Sequence, residues 1–176
     1  HAVGNGALVR IAFTGASSFT GAWFAATLAR DGHDVTGTFQ RRIGNYPELE
    51  SRRIAMLRSA GVRLVEEASY GNAVMAGLIA EGFDRLCFHA SDVRQYRSAD
   101  FDLPRAMQAN LAGMREACLG AKAAGTGRLI WTGTVFEPGE GLGDDSERAT
   151  SRGRIGQAVE QAPRVRVTRR LQQLAS

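Results

Sequence analysis

Cysteine is scarce. The 176 residues contain two, Cys87 and Cys118, in apolar surroundings and with no second Cys or His at metal-ligand spacing. That argues against a disulfide framework and against a zinc site, and both read as reduced core residues. No apolar run approaches the ~18 residues that a membrane helix needs, and no basic stretch leads into an apolar segment and a cleavage site. No membrane partner is expected, and the location expected is cytoplasmic. Lysine is almost missing, with Lys122 alone among 22 basic residues. Aromatic side chains stop at Phe136, so residues 137–176 offer no stacking platform for bases and little to bury.

The remainder is ordinary for a globular chain, with 44% hydrophobic and 23% charged residues, enough apolar surface for one core at a length of one domain. The net charge of +4 hides a division. Residues 1–147 hold 15 basic and 17 acidic side chains, whereas 148–176 hold 7 and 1, so the basicity belongs to the end of the chain. The expected organisation is a domain over 1–143 followed by a basic, irregular or disordered tail over 144–176.

Between residues 8 and 136 short apolar strands alternate with helical patterns. The strands expected are Val9–Phe13, His33–Phe39, Val62–Val65, Arg85–Ala90 and Arg128–Thr132. The helices expected are Phe19–Arg30, Pro47–Ser59, Asn72–Glu81 and one long helix Leu103–Ala124, with Gly32 and Gly61 as stops. Strands that are nearly continuously apolar and separated by helices indicate a parallel sheet covered on both faces. The fold class is α/β, a doubly wound parallel sheet of the Rossmann-like kind.

The first strand runs into Thr14-Gly-Ala-Ser-Ser-Phe-Thr-Gly21 and then a helix. Glycines at such a junction permit a tight turn, close approach of a pyrophosphate, and packing of helix on strand, while the helix N-terminus presents N–H groups and partial positive charge. Gly15 and Gly21 fill the first and last of these roles. Ser18 takes the middle one, with a hydroxyl suited to a phosphate oxygen or to capping the helix.

This turn resembles the Thr-Gly-x-x-Gly-Phe-x-Gly turn of the NAD(P)-dependent epimerase/dehydratase family, the extended short-chain dehydrogenase/reductases. Arg85-Leu-Cys-Phe-His-Ala-Ser91 resembles the family's fourth strand, Asn110-Leu-Ala-Gly113 its Asn-x-x-Gly, and Leu129-Ile-Trp-Thr-Gly-Thr-Val-Phe136 the strand that bears the active-site Ser/Thr. The resemblance covers about residues 8–140 and fades after Gly139-Glu-Gly141. It implies a dinucleotide held by Gly15, Ser17, Ser18, Phe19, Gly21, Ala90, Ser91 and Asn110, and a substrate oxygen bonded by Thr132 or Thr134, of which Thr132 is preferred. The implied substrate is a sugar-like or carbonyl small molecule, and a homodimer is the partner state considered. Phe39 stands where an acid would bind the adenosine ribose in NAD enzymes. Arg41 and Arg42 follow Gln40 and suit a 2′-phosphate, so NADP is preferred over NAD. Ala68-Ser69 replaces the family's adenine-contacting Asp.

The departure lies in the proton donor. The family's Tyr-x-x-x-Lys is absent: the residue four before Lys122 is Cys118, and Tyr46, Tyr70 and Tyr96 all precede the Thr132 strand. His89 reads as a core imidazole or one supporting other residues, and Asp92 and Tyr96 as bordering a substrate pocket. Three functions follow: an epimerase- or reductase-like protein lacking its donor, a non-catalytic NADP(H) sensor resembling the NmrA-like regulators, or a binder of acidic partners through the arginine-rich tail. Nucleic acid is disfavoured as a partner by the tail's lack of aromatics.

Overall fold

The structure, a computed structural model, describes residues 7–91, 102–132 and 167–168. Six strands form one sheet: β1 (Arg10–Thr14), β2 (Asp34–Thr38), β3 (Arg63–Val65), β4 (Arg85–Phe88), β5 (Arg128–Trp131) and β6 (Val167–Thr168). Their order is β3-β2-β1-β4-β5-β6, and every pair is parallel. The order reverses between β1 and β4. In open α/β sheets that reversal opens a crevice at the carboxyl ends of the strands.

The strands lack polar alternation because both faces are covered. On β1, Ile11 and Phe13 enter one core with Val35, Ile54 and Leu57, while Ala12 enters the other with Leu78, Phe88, Leu129 and Trp131. The central strand β4 divides in the same way, Cys87 to the first core and Leu86 and Phe88 to the second. Helices α1 (Phe19–Arg30) and α2 (Glu48–Ser59) cover the first face; α3 (Ala73–Ala80) and α5 (Met114–Ala123) cover the second. α1 buries only small residues, Gly21, Ala22, Ala25 and Ala26, which lets it lie close on the sheet. Burying the largest of these side chains, Phe13, Phe39 and Phe88, stabilises the fold by about 2 to 3 kcal/mol each.

One expectation about elements is corrected, and one element is added. The long helix over Leu103–Ala124 is two: α4 (Leu103–Leu111) and α5, separated at Ala112-Gly113. Gly113 has φ +70, and a Cβ there would collide with the backbone of Tyr70 and Gly71, so the chain turns where only glycine fits. Secondly, Val167–Thr168 pair with Leu129 and Ile130, which adds a parallel strand within the stretch read as irregular. Val165-Arg-Val-Thr168 is a β-branched run, and the neighbouring arginines mask that signal in composition. The rest of 144–176 lies outside the described residues. Cys87 and Cys118 are both buried and free, as expected. No described helix is long and apolar enough to cross a membrane.

Candidate functional site

A cleft of about 380 Å³ opens at the carboxyl ends of β1 to β4, at the reversal of strand order. One wall is the β1–α1 turn with Gly15, Ser17, Ser18 and Thr20; the others come from the ends of β2, β3 and β4 and from the start of α2.

The turn is tight for local reasons. Gly15 has φ +74, and a Cβ there would stand 2.8 Å from both the Cα and the amide nitrogen of Ala90. Its lack of a side chain lets the turn seat on the loop after β4. Ser18 is the N-cap of α1: its hydroxyl accepts from the Gly21 amide at 3.0 Å, so capping accounts for that acceptor while its own O–H proton remains able to donate. A Cβ on Gly21 would collide with the Gly15 carbonyl and stand 2.7 Å from Ser18 Oγ.

Thr14, buried at the end of β1, fixes the next wall. Its hydroxyl oxygen accepts the amides of His89 and Ala90, each at 3.1 Å, and lies 2.8 Å from the Tyr70 hydroxyl and 3.2 Å from the Cys87 carbonyl. One side chain thus joins β1, β4 and the loop after β3. Burial pushes the Tyr70 phenol well above its ordinary range, opposed in part by the Thr14 hydrogen bond. Ser91, on the same wall, has a buried Oγ with no hydrogen-bond partner among the described residues.

At the adenosine-facing end expected from the sequence, Phe39 is 1% exposed and packs into the core, edge-on to Tyr46. The residues that line the cleft here are Thr38, Gln40 and Arg41. The Arg41 guanidinium sits 5.4 Å from the centre of the Tyr46 ring. Arg42 points elsewhere: its Nε is 3.2 Å from Glu67, and it does not line the cleft. A cleft arginine that sequence reasoning missed is Arg53 of α2. It donates from Nε to the Ser17 carbonyl at 2.8 Å and lies 3.7 Å from Glu50. Arg41 and Arg53 against Glu50 leave the ionisable lining one positive charge in excess.

Thr132 is not among the residues that line the cleft and stands behind His89: its amide continues the β4–β5 ladder to the Phe88 carbonyl at 3.1 Å, and its hydroxyl lies 3.1 Å from His89 Nδ1. His89 lines the cleft, and its Nε2 is 3.0 Å from the Thr20 hydroxyl. Of the residues singled out from sequence, Gly15, Ser17, Ser18, Arg41, Ala90 and Ser91 therefore share the cleft. Gly21 supports the turn from behind, Phe19 is 68% exposed on α1, and Asn110 sits in α4 away from the lining. Asp92, Tyr96 and Thr134 lie outside the described residues. Thr20, Arg53, Tyr70 and Thr14 were given no role by sequence, since hydroxyls and a helical arginine carry no distinctive spacing.

Solved structures share this fold. UDP-glucose-4-epimerase from Stenotrophomonas maltophila, bound to NAD and formylated UDP-arabinopyranose, superposes with a TM-score of 0.67 over 90% of this chain and 51% of that one, at 15% identity. The Bordetella bronchiseptica enzyme WbmG in complex with NAD gives 0.61 over 94% and 53%, at 20% identity. The fold is that of NAD(P)-dependent epimerases and short-chain dehydrogenases. A short-chain dehydrogenase from Burkholderia cenocepacia J2315 in complex with NADP gives 0.58 over 90% and 70%, at 24% identity. The chain spans about half the length of the epimerase and of WbmG. No protein-family model matches the sequence. No curated protein matches it either.

Proposed function

We propose that this chain binds a nicotinamide dinucleotide in the cleft between the β1–α1 turn and the ends of β2 to β4, with NADP(H) preferred over NAD(H). The observation that carries this reading is the seating of Gly15 on Ala90 beside the capped start of α1, at the reversal of strand order. Such a junction presents uncommitted N–H groups and the positive end of a helix to an anion. The residues present fit the cofactor. Ser17 and Ser18 would hold its phosphates, Gln40, Arg41 and Arg53 its adenosine end, and Ala90 with the Ser91 hydroxyl, which has no partner among the described residues, the nicotinamide ribose. Phe39 removes the acid that would select an unphosphorylated ribose, and the arginine fork suits a 2′-phosphate.

When bound, the nicotinamide supplies hydride exchange with a secondary carbinol or carbonyl. The chain's own contribution there is orientation: Thr132, backed by His89, hydrogen-bonds the oxygen of a sugar-like or carbonyl substrate. Acid-base assistance, typically worth ~10²- to 10⁴-fold, needs a tuned donor within reach. No Tyr-x-x-x-Lys exists in this sequence, and Tyr70 is engaged by Thr14 and held protonated by burial. The reading is therefore binding without family-like turnover, which a sensor shares. A fluorescence titration with NADPH and NADH, followed by an absorbance assay against sugar nucleotides, aldehydes and ketones, tests it. Binding with only trace turnover is expected; robust turnover would reveal another donor, and no binding of either nucleotide would defeat the proposal.

A further inference from the structure

His89 leaves β4 where the strand order reverses, in a slot that limits its motion. The ring lies 5.5 Å from that of Phe13, tilted by 39°, and meets Phe24 edge-on at 5.9 Å. Gly21 forms another side, because a Cβ there would stand 2.9 Å from His89 Cδ2. Held in this way, the imidazole bridges two threonines, Thr20 of the cleft lining and Thr132 outside it, with Nε2 3.0 Å from Thr20 Oγ1 and Nδ1 3.1 Å from Thr132 Oγ1. Thr20 lies in the first turn of α1, beside the anion-facing turn, and lines the cleft. Thr132 follows β5.

A neutral imidazole offers these two hydroxyls one N–H and one lone pair. With the proton on Nε2, the ring donates to Thr20, whose own O–H then points outward as a donor; Nδ1 accepts from Thr132, which is left presenting lone pairs. With the proton on Nδ1 both roles reverse. One tautomer therefore makes Thr20 a donor and Thr132 an acceptor toward any ligand, and the other does the opposite.

We propose that His89 is a positioning residue that couples Thr20, at the β1–α1 turn of the cleft, to Thr132 behind it through its tautomer. An anionic oxygen beside Thr20 can only accept, so it selects the outward Thr20 proton and hence the Nε2–H form. One proton moves from Nδ1 to Nε2 through solvent, with no change of net charge. Thr132 is then an acceptor, which narrows the ligand proposed above to one that bears a hydroxyl, rather than a carbonyl oxygen, at this position. The link to a phosphate rests on the function proposed above; the relay between the threonines does not.

The test is long-range proton–nitrogen spectroscopy of the histidine rings in the full chain, recorded where the His89 ring shows one N–H and one lone-pair nitrogen, with His89 assigned by its loss in His89→Asn. Adding inorganic pyrophosphate should move Nε2 toward the N–H-bearing range and Nδ1 toward the lone-pair range, and Thr20→Val should abolish that response. Pyrophosphate that perturbs the Gly15–Ser18 amides while leaving the His89 nitrogens unmoved would overturn the coupling, as would an undiminished response in Thr20→Val. If neither pyrophosphate nor NADPH or NADH perturbs the turn, the function proposed above fails, and the relay is judged on the free protein. There Thr20→Val should shift Nδ1, the nitrogen facing the other threonine, and Thr132→Val should shift Nε2. Shifts confined to the nitrogen beside each substitution would overturn it.

Discussion

Gly15 offers a controlled measurement of how tightly the turn is built. Alanine at this position must adopt φ +74, and the left-handed region costs an L-residue about 1 to 2 kcal/mol. Its Cβ would also stand 2.8 Å from the Cα and amide nitrogen of Ala90 and 3.2 Å from the His89 carbonyl carbon, all of them backbone atoms. Overpacking of that kind costs about 1 to 3 kcal/mol, and the stiffer unfolded chain offsets only about 0.4 to 1 kcal/mol. The net loss expected for Gly15→Ala is about 2 to 4 kcal/mol, below the ~5 to 15 kcal/mol typical of a domain, so the variant should still fold. Gly61 supplies the reference, because it has φ +84 with nothing within 4 Å of its virtual Cβ. Gly61→Ala carries the same backbone strain and the same unfolded-state gain without the collision. Urea denaturation of the two variants should differ by about 1 to 3 kcal/mol, or roughly 4 °C in melting temperature per kcal/mol. Equal losses would show that the turn does not seat on the loop after β4.

Other outcomes follow from the same contacts. Thr14→Val leaves the His89 and Ala90 amides without their shared acceptor and should cost about 2 to 4 kcal/mol, whereas Ser18→Ala loses one cap bond and should cost about 1 kcal/mol; denaturation midpoints should rank them in that order. Burial pushes the Cys87 thiol up to about 12 and the Cys118 thiol up to about 11, so a thiol reagent should label neither in the folded chain and both after unfolding. Tyr70 titrates above its unfolded value, so its contribution is complete below the ordinary phenol range and is lost as pH rises beyond it. Alkaline unfolding monitored by circular dichroism should therefore begin near pH ~10, and Tyr70→Phe should lessen that dependence. Arg41→Ala should narrow the preference for NADPH over NADH about 5- to 100-fold, while Arg42→Ala, whose side chain faces Glu67, should leave it nearly unchanged.

Much of the fold was legible because periodicity and stop signals agreed. Phe19–Arg30 matches its expected bounds, and the continuous apolar runs of β1 and β4 announced a sheet covered on both faces. The break at Gly113 was not legible, since the demand for a left-handed residue comes from Tyr70 and Gly71, some forty positions earlier in the chain. β6 escaped notice because two paired residues among arginines leave no compositional trace. In the site, glycine spacing located the turn, but Arg41 and Arg42 are identical in sequence and are separated only by Tyr46 and Glu67. Arg53 reaches the cleft from a helix whose exposed face is otherwise charged and ordinary. The triple role of Thr14 depends on three elements meeting, which no local pattern records.

Backbone amide spectra recorded with and without NADP⁺ locate the dinucleotide on the chain. Binding in the cleft should concentrate the shifts at Gly15–Gly21, Gln40–Arg41, Ser69 and Ala90–Ser91, with the helices of the second face, α3 and α5, unaffected beyond their ends. Saturable shifts confined to α3 and α5, or no shifts at millimolar NADP⁺ and NAD⁺, would contradict it.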